Sequence, residues 1–183
     1  MENQEINPLK NPEEYQKMVL DSMRHYEILI GELYSIYAQK MPEHKEFWSE
    51  IAQEEGTHAY WLKTLEEKIG GGEVFLNEER FHIAPIRQCI DDVEQKIKSA
   101  KSFDIDILMA LSISNDIENG MIEGKFFEVF ESDSAEIKET FEMLERATMQ
   151  HRERVEAFWE NERAKIGIKK DKSFLDKLKN FFS

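Results

Sequence analysis

The chain has 183 residues, with 38 Asp and Glu against 24 Lys and Arg, a net charge of −14 and 40% hydrophobic content. This is enough for one domain with a real core, and the acidic balance argues against nucleic-acid binding, which needs a basic face for phosphates. A single cysteine, Cys89, excludes a disulfide framework, a cysteine-based zinc site and a built-in rubredoxin-type iron centre; no run approaches the roughly 20 apolar residues of a membrane span, and the polar N-terminus with Glu2 and Glu5 is unlike a signal peptide, so a cytoplasmic location is expected.

Residues 1–11 read as a polar tail. The first helix is predicted to open with Asn11 as N-cap, Pro12 at the first helical position and Glu14 at capping-box spacing, and to stop at Met41-Pro42. Pro42-Glu43 opens a second helix that ends at Gly70-Gly71-Gly72. The very short turn between two long helices requires them to pack antiparallel. A long connection runs from Gly70 to about Phe103. It holds a possible extended piece at Val74-Phe75-Leu76 and a short amphipathic stretch with Ile86, Ile90, Val93 and Ile97 on one stripe.

A third bundle helix is predicted from about Asp104 to Phe130. After the turn Glu131-Ser132-Asp133-Ser134, a fourth follows to about Ala164, with Gly167 beyond it. Hairpin, long crossover, hairpin is the order of a ferritin-like four-helix bundle, so the expected fold is all-α with that bundle over residues 12–166. Residues 167–183 read as a basic linker and a short amphipathic C-terminal helix carrying Phe174, Leu175, Leu178, Phe181 and Phe182. Such a helix docks on its own bundle, on a protein partner or on a membrane surface.

Each bundle helix carries chemistry on its apolar stripe. Glu27 lies in line with Leu20, Met23, Ile30, Tyr34 and Ala38, and Glu55 and His58 with Phe47, Ile51, Leu62 and Leu65. Glu118 falls with Leu111, Ser114, Met121 and Ile122, and His151 with Phe141, Leu144, Thr148 and Val155. A Glu and a His three apart share one helix face and reach one metal. A Glu on each of two helices with Glu-x-x-His on the other two is the di-iron carboxylate pattern. Oxygen and imidazole donors suit Fe, Mn or Zn. The pattern has one defect: Thr148 stands where the second Glu-x-x-His needs its Glu. Glu32 rivals Glu27 and Glu123 rivals Glu118, while Glu79-Arg80-Phe81-His82 lies outside the bundle pattern and reads as a chance match. Tyr34 and Tyr37 read first as aromatic packing, with a role beside a metal as the alternative. Trp48, Trp61 and Trp159 read as core or interface anchors.

The segment Glu27 to Leu62 contains Glu32-Leu33-Tyr34-Ser35-Ile36-Tyr37-Ala38, Phe47-Trp48 and Glu54-Glu55-Gly56-Thr57-His58-Ala59. It resembles the first half of a rubrerythrin-type ferritin-like domain. Ala110-Leu111-Ser112-Ile113 leading to Ile117-Glu118 resembles the start of the second half, and the resemblance spans roughly residues 12–165. It implies Glu27 and Glu118 as terminal ligands, Glu55 as a bridging ligand, and His58 and His151 as nitrogen ligands to one or two iron ions. The other bridging carboxylate would fall on Thr148, and Met121 stands where rubrerythrins proper carry a further Glu. The rubredoxin-like tail is missing. The implied function is non-haem iron oxidoreductase chemistry on peroxide or oxygen, or oxidation of iron itself, with an external electron donor. A homodimer is also implied, in keeping with the apolar residues Val19, Tyr26, Leu29, Leu33 and Ile36 on a second face of the first helix. The rival reading is a non-catalytic binding or scaffolding bundle with a degenerate site.

Overall fold

The structure is a computed structural model that describes residues 12–69, 75–76, 83–123, 130–131 and 135–166. The chain is all-α: helices α1 (Pro12–Lys40), α2 (Lys45–Ile69), α3 (Ile83–Ser102), α4 (Ile107–Glu123) and α5 (Ala135–Ile166), joined by a single 3₁₀ turn at Pro42–His44 and a two-residue ladder of β1 (Phe75–Leu76) with β2 (Phe130–Glu131). No helix among the described residues is long and apolar enough to cross a membrane. The two tails, the Asn11 and Asp133 caps and the Glu79–His82 match lie outside the described residues.

Helix α1 has Glu13 and Glu14 in its first turn and Lys40 in its last, which suits the helix dipole at both ends. It ends before Pro42, whose ring disfavours a helical conformation in the preceding residue. Met41 N–H donates to the Tyr37 carbonyl at 2.9 Å and His44 N–H to the Met41 carbonyl at 2.9 Å, so the reversal is made with its backbone groups satisfied. The second helix thus begins with one 3₁₀ turn rather than directly at Pro42. Where α1 and α2 come closest, Gly31 faces the α2 backbone: a Cβ there would lie 3.3 Å from the Ala52 carbonyl oxygen and 3.4 Å from the Glu55 Cβ. The absence of a side chain at Gly31 draws α2, and with it Glu55, against α1.

The crossover differs from expectation. Its amphipathic stretch is not short but a 20-residue helix, α3, burying Ile86, Val93, Ile97 and Ala100. It runs alongside α1 in the same direction, since Arg87 reaches the Met18 sulfur and Lys101 reaches Glu32 at 2.7 Å. The second apolar face of α1 (Val19, Tyr26, Leu29, Leu33, Ile36) is buried within the chain, in one core with α3. That face therefore no longer calls for a second copy of the protein. Glu32, the rival to Glu27, is an exposed partner of Lys101.

The second half also needs a correction. Asp106 caps α4, its carboxylate accepting from Met109 N–H at 2.8 Å. The helix is described only to Glu123, and Phe130 is not its end but part of β2, paired antiparallel with Leu76. Phe130 is an aromatic residue of a type that favours strands, and its partner Leu76, more than 50 residues away, fixes the outcome. Helix α5 packs antiparallel on α2: Phe158 meets Phe47 at a ring distance of 4.2 Å, and Arg154 bonds Glu54 one turn along. At the α1–α2 end, Tyr34, Tyr37 and the fully buried Trp48 form an aromatic knot with centroids 5.0–6.2 Å apart. Trp61 and Trp159 are only half-buried.

Candidate metal centre

Four helices contribute one buried polar cluster. Glu27 from α1, Glu55 and His58 from α2, Glu118 from α4, and Thr148 and His151 from α5 are each 3% exposed or less. Each sits on the helical stripe that the apolar spacing marked. The rule that put Leu20, Ile51, Leu111 and Leu144 in the core put these side chains there too.

Glu55 is the hub. Its Oε2 accepts from His58 Nδ1 at 2.9 Å and its Oε1 from His151 Nδ1 at 3.1 Å. An ionised carboxylate has no proton to give, so both ring nitrogens must donate. Donor atoms of Glu55, His58 and His151 all lie within 4.8 Å of one another. The two imidazoles lie 4.9 Å apart, tilted by 32°. Glu27 Oε2 is 3.7 Å from His58 Nδ1, beyond hydrogen-bonding distance, and this buried oxygen has no hydrogen-bond partner among the described residues. Glu118 accepts a hydrogen bond from Tyr34 O–H at 2.9 Å. Tyr34 is therefore a polar partner of the cluster as well as a packing element. Tyr37 packs on Trp48, and its hydroxyl has no hydrogen-bond partner among the described residues.

The electrostatics separate the three carboxylates. Burial, reinforced by the neighbouring Glu55 charge, lifts Glu27 to about 7 and Glu118 to about 8. Burial would lift Glu55 too, but the hydrogen bonds and charges of His151 and His58 prevail and hold it at about 2. Burial works against a charged His58, yet Glu27 and Glu55 raise it to about 10. His151 moves up against the same opposition, chiefly through Glu55. The cluster is thus an anion between two imidazole rings that donate to it, with two further carboxyls whose burial opposes their ionisation.

Thr148 is buried, but its hydroxyl donates back to the Leu144 carbonyl at 3.1 Å, as Ser114 does to Ala110 at 2.9 Å. The hydrogen at the defective position is thereby spent on its own helix. Glu123 and Met121 have no described side chains. The apolar spacing left out Glu54. Its side chain is 42% exposed, yet it reaches His151 Nε2 at 2.5 Å and is clasped by Arg154 at 2.7 and 2.8 Å. Arg154 stands three positions after His151, as Glu54 stands one before Glu55. No apolar stripe marks a pair that meets at the rim of the core.

No protein family, no curated protein and no solved structure matches this chain.

Proposed function

We propose that the chain is a ferritin-like bundle of rubrerythrin type that holds iron between Glu27, Glu55, His58, Glu118 and His151 and serves non-haem iron oxidoreductase chemistry. One observation carries the reading: donor atoms of the buried Glu55, His58 and His151 gather within 4.8 Å, with buried Glu27 3.7 Å from His58 and buried Glu118 on a further helix, although burying ionisable groups is costly unless something binds them together. The donor set also fits a cation. Glu27 Oε2 lacks a hydrogen-bond partner among the described residues, burial and the Glu55 charge oppose ionisation of Glu27 and Glu118, and carboxylate and imidazole are the donors iron, manganese and zinc accept.

In this reading Glu55, already an anion held between two imidazoles, would be the central ligand. A bound cation would displace the protons of Glu27 and Glu118 and those that His58 and His151 now donate to Glu55. Tyr34 orients Glu118 from behind through its hydroxyl, a contact of the kind that tunes a metal ligand without touching the metal. Trp61 lies against His58 with ring centroids 5.5 Å apart and excludes water from that side. Iron held there would supply one-electron redox chemistry towards oxygen or peroxide. With Cys89 the sole thiol, electrons must come from an external donor.

A second reading, a scaffold bundle with a degenerate site, is favoured by Thr148 and its back-bonded hydroxyl. Peroxide consumption separates the two. The ferrous-loaded chain should be oxidised stoichiometrically by hydrogen peroxide, and the Glu55→Ala chain should lose that response. A loaded chain as inert as Glu55→Ala leaves the scaffold reading.

A further inference from the structure

His151 is held from both sides. Its Nδ1 faces Glu55 inside the bundle, and its Nε2 donates outward to Glu54, a carboxylate gripped in turn by the Arg154 guanidinium and followed by Glu50 at 3.6 Å from the same Arg. Among the described residues His58 shows no counterpart to Glu54: its Nδ1 bonds Glu55, and the Trp61 indole lies along its ring. The two imidazoles of the cluster are therefore supported differently, and the heavier support is on the helix that lacks its carboxylate at position 148.

We infer that Glu54, fixed by Arg154, is a positioning residue for His151: it keeps the Nε2 hydrogen on the outer side, so that the proton released on cation binding is the one Nδ1 now donates to Glu55 and Nδ1 is the nitrogen freed for the cation. The inference rests on the metal reading above. An imidazole that donates its second N–H to a carboxylate is fixed in ring orientation and is a stronger donor through the other nitrogen. Here this compensates, on α5, for the missing carboxylate. Glu54 cannot bind the same cation as Nδ1, because it lies on the opposite edge of the ring. Its contribution acts through His151 alone.

The test uses cobalt(II), whose visible spectrum reports its ligand field, titrated into the full chain after chelator treatment. The unsubstituted chain should bind cobalt with a spectrum that changes in His151→Ala. Glu54→Ala should weaken binding roughly 10- to 100-fold and shift the spectrum towards that of His151→Ala. Arg154→Ala, which leaves the carboxylate but frees it to swing, should give a smaller change in the same direction. Glu54→Gln should recover part of the loss, since its amide oxygen still accepts from Nε2. Glu50→Ala should match the unsubstituted chain. Because Glu54 and Arg154 are part-exposed, unchanged helical circular dichroism is expected throughout. Cobalt bound with the same affinity and spectrum with and without Glu54 overturns this inference alone. No cobalt bound by the unsubstituted chain overturns it together with the metal reading.

Discussion

Glu55 concentrates the behaviour of the cluster in one side chain. Removing it by Glu55→Ala takes the common partner from two buried imidazoles, a kind of loss that costs about 3–5 kcal/mol. The metal-free variant should therefore melt well below the parent, as differential scanning calorimetry would register. The other carboxyls set a pH dependence. Glu27 at about 7, Glu118 at about 8 and His58 at about 10 all lie above their unfolded values, so each stabilises the fold below its unfolded pKa and ceases to do so as pH rises through the folded one. Glu55 at about 2 works the other way, its contribution present above its unfolded value and lost only as pH falls towards 2. The metal-free chain should be most stable near about pH 5 and lose several degrees of melting temperature towards pH 9. A melting temperature that instead rises from pH 5 to 9 contradicts these assignments. At position 148, Thr148→Glu adds another buried carboxylate, so it should lower the melting temperature without metal and restore it with metal, while raising the metal bound per chain. The five cluster residues were legible because each shares a core stripe with leucines and isoleucines. Glu54 was not, because half of it is in water and its partner lies on another helix.

At the level of elements, α1, α2 and α5 could be read nearly to their described ends, since Pro12, Pro42 and the apolar periodicity agree there. The crossover was underestimated: Ile86, Val93 and Ile97 were visible, but the extent of α3 depends on α1 offering a second apolar face along its length. The extended piece at Phe75-Leu76 was legible, but its pairing with Phe130-Glu131 was not, since two residues pairing with two distant ones leave no local period. If α3 is the cover of α1, Ile86→Ala and Val93→Ala should each destabilise the fold, the former by about 2–4 kcal/mol from cavity formation. Opening that cover further, by Val93→Asp, should expose the α1 face and produce association detectable by sedimentation. A strictly unchanged melting profile in Ile86→Ala would show that α3 is not part of the core. Gly31 offers a check on the α1–α2 seam: Gly31→Leu should separate the helices and move Glu55, weakening cation binding as well as the fold.

For the whole molecule, sequence pattern and packing agree on an all-α class, and among the described residues one core holds both apolar bulk and an ionisable cluster. The burial of the second face of α1 by α3 removes the sequence argument for a homodimer, and the rubrerythrin resemblance alone now carries that proposal. The net charge of −14 belongs to the same scale: an acidic surface draws cations towards a cluster whose own polar groups are inside. The central claim is that this cluster is a metal site, and metal stoichiometry decides it most directly. The chain should be stripped with chelator, loaded anaerobically with ferrous iron, desalted and subjected to elemental analysis beside Glu55→Ala. The account predicts about one to two irons retained per folded chain, the lower figure following from Thr148, and essentially none in Glu55→Ala. A fully folded parent chain that retains no more iron than Glu55→Ala would contradict it.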